Sequence, residues 1–202
     1  MRRIIGTLNA TLLGLAVVAV AVPASAAPAT AHISSVRTAA TPHCVVQATP
    51  AGSVRTPAAA ACFATFAESV AHATSGAVRL PANATQVTQQ QLDAGYAKAR
   101  AAAPASGGIG IMAVVIGISY FNTGFSGSSS VHQAATDCDT NADVDWLINQ
   151  LTNDNVFSSA QAFGQCQGIY YDLPNRPAGG ARVNTNWSGG AMDNRASSVE
   201  WV

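Results

Sequence analysis

The 202-residue sequence predicts an all-β domain at its C-terminus, preceded by a small, mainly helical N-terminal segment. Three observations carry this expectation. Beyond Gly110 apolar residues come in short runs bounded by Gly, Asn and Ser, as in Val114-Val115-Ile116-Gly117-Ile118-Ser119-Tyr120, the pattern of strands joined by tight turns. In the same half the pattern D-N-x-x-S-S occurs twice, at 154–159 and 193–198, and a repeated loop implies a repeated folding unit. Before Gly110, apolar residues instead recur three and four apart, as on one face of a helix.

The chain opens with Met1-Arg2-Arg3, an apolar run over 4–22 and Ala24-Ser25-Ala26. This is the layout of a secretory signal peptide, 1–26, cut before Ala27. The run is near the length that spans a bilayer, but the small-residue cleavage site and the Ala/Pro/Thr-rich stretch after it favour removal over anchoring. The mature chain is therefore expected to be secreted and extracellular, with no membrane contact after cleavage. In that oxidising setting Cys44, Cys62, Cys138 and Cys166 imply two disulfides, with three pairings open. Pairing within each half, Cys44 with Cys62 and Cys138 with Cys166, is the most economical. Zinc is disfavoured: there is no C-x-x-C, and His32, His43, His72 and His132 are scattered.

Residues 27–42, rich in Ala, Pro, Ser and Thr, read as a flexible leader. Residues 43–102 read as a small helical accessory or pro-region. Within 62–73, Phe63, Phe66, Ala67 and Val70 mark one helix, which Gly76 stops, and Thr88 with Gln91 forms a capping box that opens a second helix running to about Ala102. The Ala/Pro/Ser/Gly stretch 103–112 is a linker, leaving 113–202 as the β domain. Charge divides along the same line: five basic residues face two acidic ones over 27–112, whereas three face eight over 113–202. An acidic β half argues against nucleic acid and for a divalent cation as partner.

Within the β half, Tyr120 precedes Gly127 by seven residues in Tyr-Phe-Asn-Thr-Gly-Phe-Ser-Gly, a spacing for a folded hairpin whose glycine takes a backbone conformation other residues resist. A second copy starts at Tyr171-Asp172-Leu173-Pro174, with Gly179 or Gly180 as its glycine. Each D-N-x-x-S-S loop thus has its own upstream hairpin. From Gly127 to Asp154 is 27 residues, against 14 from Gly179 to Asp193, so the first unit carries an insertion over 134–150. There Asp137, Asp139, Asn141, Asp143 and Asp145 begin like an EF-hand loop. Ala142 and Ile148, however, stand where that loop needs glycine and a bidentate glutamate. The stretch is read as a solvated acidic loop leading into a short helix at 146–151. Cys138 staples it to the body through Cys166, a closure contributing roughly 3 to 4 kcal/mol.

The aromatic-x6-glycine hairpin followed by (N/D)-(N/D)-x-x-(S/T)-S, present twice in order, resembles the βγ-crystallin family as found in secreted actinobacterial proteins. The likeness covers about 114–202. The second hairpin departs from it, Tyr171 to Gly179 being one residue too long and lacking an aromatic equivalent to Phe125. The resemblance implies a β-sandwich of two Greek-key motifs and weak calcium binding, roughly 10⁻⁵ to 10⁻³ M as in extracellular modules. It assigns Asp154, Asn155 and Ser158 of the first loop, and Asp193, Asn194 and Ser197 of the second, as metal ligands. The resemblance further implies that side chains of one loop, main-chain carbonyls of the other and a carbonyl from a hairpin together complete two sites. Ser159 and Ser198 would instead hold down the hairpins.

Function is then expected to be that of a calcium-binding structural or binding module and not of an enzyme. The alternative is a secreted proteinaceous protease inhibitor, since some small actinobacterial inhibitors share the fold; its partner would be a secreted protease, and a cell-surface component is a further candidate. Against metal binding stands a plain turn whose Asp and Asn side chains satisfy backbone amides. No catalytic set emerges. Gly124–Ser128 misses G-x-S-x-G at its last position, His132 reads as a surface residue, and Trp146, Trp187 and Trp201 read as core or interface aromatics.

Overall fold

The computed structural model describes residues 42–53, 60–102, 113–176 and 182–202. The expected signal peptide, nearly all of the expected leader, the expected linker 103–112 and the candidate glycines Gly179 and Gly180 lie outside them. The β half begins with β4 (Val114–Asn122) and β5 (Ser126–Ala134), followed by β6 (Trp146–Ile148), β7 (Ser159–Ala162), β8 (Gly168–Tyr171), β9 (Arg182–Asn184), β10 (Trp187–Ser188) and β11 (Ser198–Trp201). Before them come β1 (His43–Gln47), β2 (Thr49–Pro50), β3 (Ala60–Phe63), α1 (Phe66–Ala73) and α2 (Gln89–Ala102).

The strands form two sheets, ordered β10-β7-β4-β5-β1-β3 and β2-β6-β11-β8-β9. Each hairpin, β4–β5 and β8–β9, stays in its own sheet beside the strand that follows its loop, β7 or β11. The strand between hairpin and loop crosses over: β6 pairs with β11, and β10 pairs with β7. The sheets enclose a core of Val46, Ile116, Phe157 and Ala160 against Trp146, Ile148, Tyr170, Val199 and Trp201. A second core lies on the outer face of the larger sheet, where Val45, Val115, Ile118, Tyr120 and Val131 meet Phe66 and Val70 of α1 and Leu92 and Tyr96 of α2. β4 is therefore buried on both faces, which is why its sequence reads as an unbroken apolar run. Gly117 lies where the β4–β5 register shifts, and a Cβ there would stand 1.9 Å from the Trp201 ring.

Both helices form where the sequence places them, with sharper ends. Thr65 caps α1 by accepting from the Glu68 amide at 3.2 Å, and Glu68 Oε2 accepts from the Thr65 amide at 3.0 Å. Gly76 closes α1 by donating to the Ala71 carbonyl at 2.7 Å, behind a left-handed Ser75. The Thr88 capping box is present: Gln91 donates its amide to Thr88 Oγ1 at 3.3 Å, and Gln91 Oε1 accepts from the Thr88 amide at 2.9 Å. Both within-half disulfides are present, with Cα–Cα distances of 4.0 Å for Cys44–Cys62 and 5.0 Å for Cys138–Cys166.

Three expectations are corrected. The N-terminal segment is helical only in its later part: β1 joins the β5 edge in parallel, β3 extends that sheet, and β2 pairs with β6 in the other. Residues Ala39–Val202 accordingly form one compact unit. The helix expected at 146–151 is instead strand β6 in its first three residues, because Trp146-Leu147-Ile148 is buried between β2 and β11 and a central strand buries all three. His132 is not at the surface. Alternation along β5 turns Val131 to the helices and His132 into the sandwich, where it is 0 % exposed beside Trp201 and Tyr170.

Candidate functional site

The two D-N-x-x-S-S loops meet through a reciprocal set of bonds. Asn155 and Asn194 both take the left-handed conformation, φ 58° and 54°, which asparagine tolerates better than most residues. That turn aims each backbone amide at the opposite loop: Asn155 donates to the Ala196 carbonyl at 3.1 Å, and Asn194 to the Phe157 carbonyl at 2.9 Å. Each loop also reaches back to its own hairpin, as the Ser158 amide donates to the Tyr120 carbonyl at 2.9 Å and the Ser197 amide to that of Tyr171 at 2.8 Å.

The last serine of each loop pins a hairpin, as expected for Ser159 and Ser198. Ser159 Oγ donates to the Asn122 carbonyl at 2.6 Å and accepts from the Phe125 amide at 3.1 Å. Ser198 Oγ does the same with Leu173 at 2.7 Å and Arg176 at 3.3 Å. The second hairpin therefore follows the first through Arg176, with Asn175 and Arg176 left-handed where Gly124 and Phe125 are. Where Phe125 meets Tyr120 edge-on, Arg176 and Tyr171 instead share Glu200, at 2.8 and 2.5 Å. Gly127 keeps its expected special backbone, φ 78°, and a Cβ there would strike Asn122 at 2.6 Å.

Of the six candidate ligands, four come together in crossed pairs. Ser197 Oγ lies 3.4 Å from Asn155 Oδ1 and 3.2 Å from the Asp172 carbonyl oxygen; Ser158 Oγ lies 3.5 Å from Asn194 Oδ1. Each amide oxygen thus faces a serine hydroxyl of the other loop. The remaining two have no such crossed pairing among the described residues: Asp193 Oδ1 accepts from Asn194 Nδ2 at 3.2 Å, and Asp154 Oδ1 is buried with no hydrogen-bond partner there. Asp172, which sequence reasoning took only as part of a hairpin, contributes the carbonyl, and its own Oδ1 is likewise buried and unpartnered. The signal for it was its position directly after Tyr171, the residue to which the second loop bonds.

These donors fit a hard cation. They are all oxygens, and O–O separations of 3.2–3.5 Å are long for a hydroxyl hydrogen bond. Two oxygens each about 2.4 Å from a common ion and about 90° apart would lie about 3.4 Å from one another.

The acidic insertion is built differently. Asp139 Oδ1 accepts from the Asn141 amide, Asn141 Oδ1 from the Asp143 amide, Asp145 Oδ2 from the Asp139 amide, and Asp137 Oδ1 from the amides of Cys138 and Gln165. This is the solvated acidic loop expected from the sequence, held to the body at Cys138–Cys166. Asp137 lies close to both sulfurs, but these are joined in the disulfide and offer no thiolate to a metal.

A third polar group lies inside the sandwich. Ser119 Oγ contacts Tyr170 Oη at 2.8 Å and His132 Nε2 at 3.4 Å. Burial lowers the His132 pKa to about 3 and raises that of Tyr170. All three side chains are 0 % exposed, so a molecule outside cannot reach them.

Comparison of the chain with protein-family models, with characterised proteins and with solved structures found no match.

Proposed function

We propose that the chain is a secreted, calcium-binding module of βγ-crystallin-like Greek-key architecture, with a structural or binding role. The observation that carries this reading is the crossed pairing of Asn155 with Ser197 and of Asn194 with Ser158 at cation-like oxygen spacing. The mutual exchange of β6 and β10 between the sheets supports the two-motif architecture, and two disulfides are in keeping with an extracellular setting. Asn155, Asn194, Ser158, Ser197 and the Asp172 carbonyl would hold the ions, with Asp154 and Asp193 supplying nearby negative charge. Calcium would supply a positive centre that joins the two loops, and with them the two sheets.

An ion that binds only the folded chain stabilises it in proportion to the logarithm of its concentration over Kd. Thermal melting of the intact chain is expected to shift upward with millimolar calcium, and Ser158→Arg or Ser197→Arg to reduce the shift. Melting curves that ignore calcium would remove the proposal. One observation favours the inhibitor alternative: the exposed stretch around Asp139–Asp143 is braced internally and anchored at Cys138–Cys166, as a loop presented to a protease must be. Stoichiometric inhibition in a screen of secreted metallo- and serine proteases would decide for it.

A further inference from the structure

We infer that Arg195 is a built-in competitor for the cation at the Asn155–Ser197–Asp172 cluster, so that the two clusters differ in calcium affinity and Arg195 sets the difference. The inference rests on the calcium reading above and concerns Arg195, which that reading does not use.

Arg195 Nη2 reaches Asp172 Oδ2 at 2.5 Å, and its Nη1 donates to the Ala191 carbonyl at 3.2 Å. Asp172 is the residue whose carbonyl accepts from Ser197 Oγ, so the arginine is tied to a residue of the cluster itself. The other carboxylate oxygen of this residue, Asp172 Oδ1, is buried without a hydrogen-bond partner among the described residues. One guanidinium thus stands against a carboxylate that still has an oxygen to offer.

Among the described residues the other cluster has no such ion pair. By position in the repeat Val156 stands where Arg195 does and Phe121 where Asp172 does, so the loop and hairpin on the Ser158 side carry neither a cation nor a carboxylate at the matching positions. The guanidinium is also free to leave, since the Arg195 side chain is 52 % exposed. A divalent ion a few ångströms from a fixed positive charge is repelled by several times the thermal energy at the dielectric of a protein surface. Binding at the Asn155–Ser197 cluster must therefore move Arg195 off Asp172. Once moved, it leaves a site with more uncompensated negative charge than its twin.

The test is calcium titration calorimetry on the intact chain, comparing wild type with Arg195→Gln, Arg195→Ala and Arg195→Lys, each checked by circular dichroism. Two neutral replacements are used so that either folded one suffices. Ser197→Ala and Ser158→Ala assign the binding steps. The expected result is that neutral replacement tightens the Ser197-dependent step, or makes it visible, by about tenfold. The Ser158-dependent step stays unchanged, and Arg195→Lys, which keeps the charge, stays near wild type. A Ser197-dependent step that is unchanged or weaker without the arginine overturns the inference and leaves the calcium reading standing. Absence of calcium-dependent heat from both wild type and the neutral variants overturns the calcium reading, and the inference with it.

Discussion

The acidic insertion and the paired loops draw on the same residue types within one half of the chain, and they differ in where the side-chain oxygens point. In the insertion Asp137, Asp139, Asn141 and Asp145 each accept from a backbone amide a few residues away or across the disulfide. In the paired loops the Asn155 and Asn194 amides are taken by carbonyls of the opposite loop, and Asn155 Oδ1 and Asn194 Oδ1 face hydroxyls instead. A short Asp/Asn-rich stretch folds on itself and consumes its own acceptors. Two loops that satisfy one another's backbone leave their side-chain oxygens available. Acid count alone would rank the insertion first as a cation site; the direction of the backbone bonds reverses that order.

Acidification is expected to disturb the comparison most, and from outside both regions. His132 titrates near 6.5 in the unfolded chain but only at about 3 in the fold, because burial disfavours its charged form. Between these values the unfolded state binds a proton that the folded state does not. Stability should therefore fall as pH drops from about 6.5 toward 3, by up to about 1.4 kcal/mol per pH unit. Denaturant midpoints measured across this window should show the loss, and His132→Gln should flatten it. The two acidic regions are best compared above pH 7.

Next in size is removal of the staple. Cys138→Ser with Cys166→Ser should lower stability by about 3 kcal/mol, seen as an earlier denaturant midpoint, while the calcium-induced rise in Tm keeps its size. A lost calcium response would tie the insertion to the ion. Asp154→Asn is smaller and opposite in sign: relieving a buried carboxylate oxygen with no partner should raise stability without calcium by about 1 kcal/mol and reduce the gain from added calcium. Smallest is Asp139→Asn with Asp143→Asn, expected to change stability by about 0.5 kcal/mol and the calcium response not at all.

Legibility followed sequence distance. The Thr88 box, the Gly76 stop, the Tyr120–Gly127 hairpin and both disulfides were readable because their partners are near in sequence or few in number. Strands β1 to β3 were not. His43–Gln47 is too short to show a period, and its parallel partner Ser130–Gln133 lies 86 residues on. Trp146–Ile148 looked helical because three apolar residues carry no periodicity, and only their place between β2 and β11 decides. The six candidate ligands were legible as a list. Their crossed pairing and the Arg195–Asp172 ion pair are tertiary and were not.

Because β1 and β3 extend the β5 edge and β2 covers that of β6, the decisive measurement belongs on the intact chain and not on 114–202 alone. Isothermal titration with calcium above pH 7 should give binding heat that survives Asp139→Asn with Asp143→Asn and disappears in Ser158→Ala with Ser197→Ala. Heat that persists without the two serines, or that is lost with the insertion's carboxylates, would contradict the account.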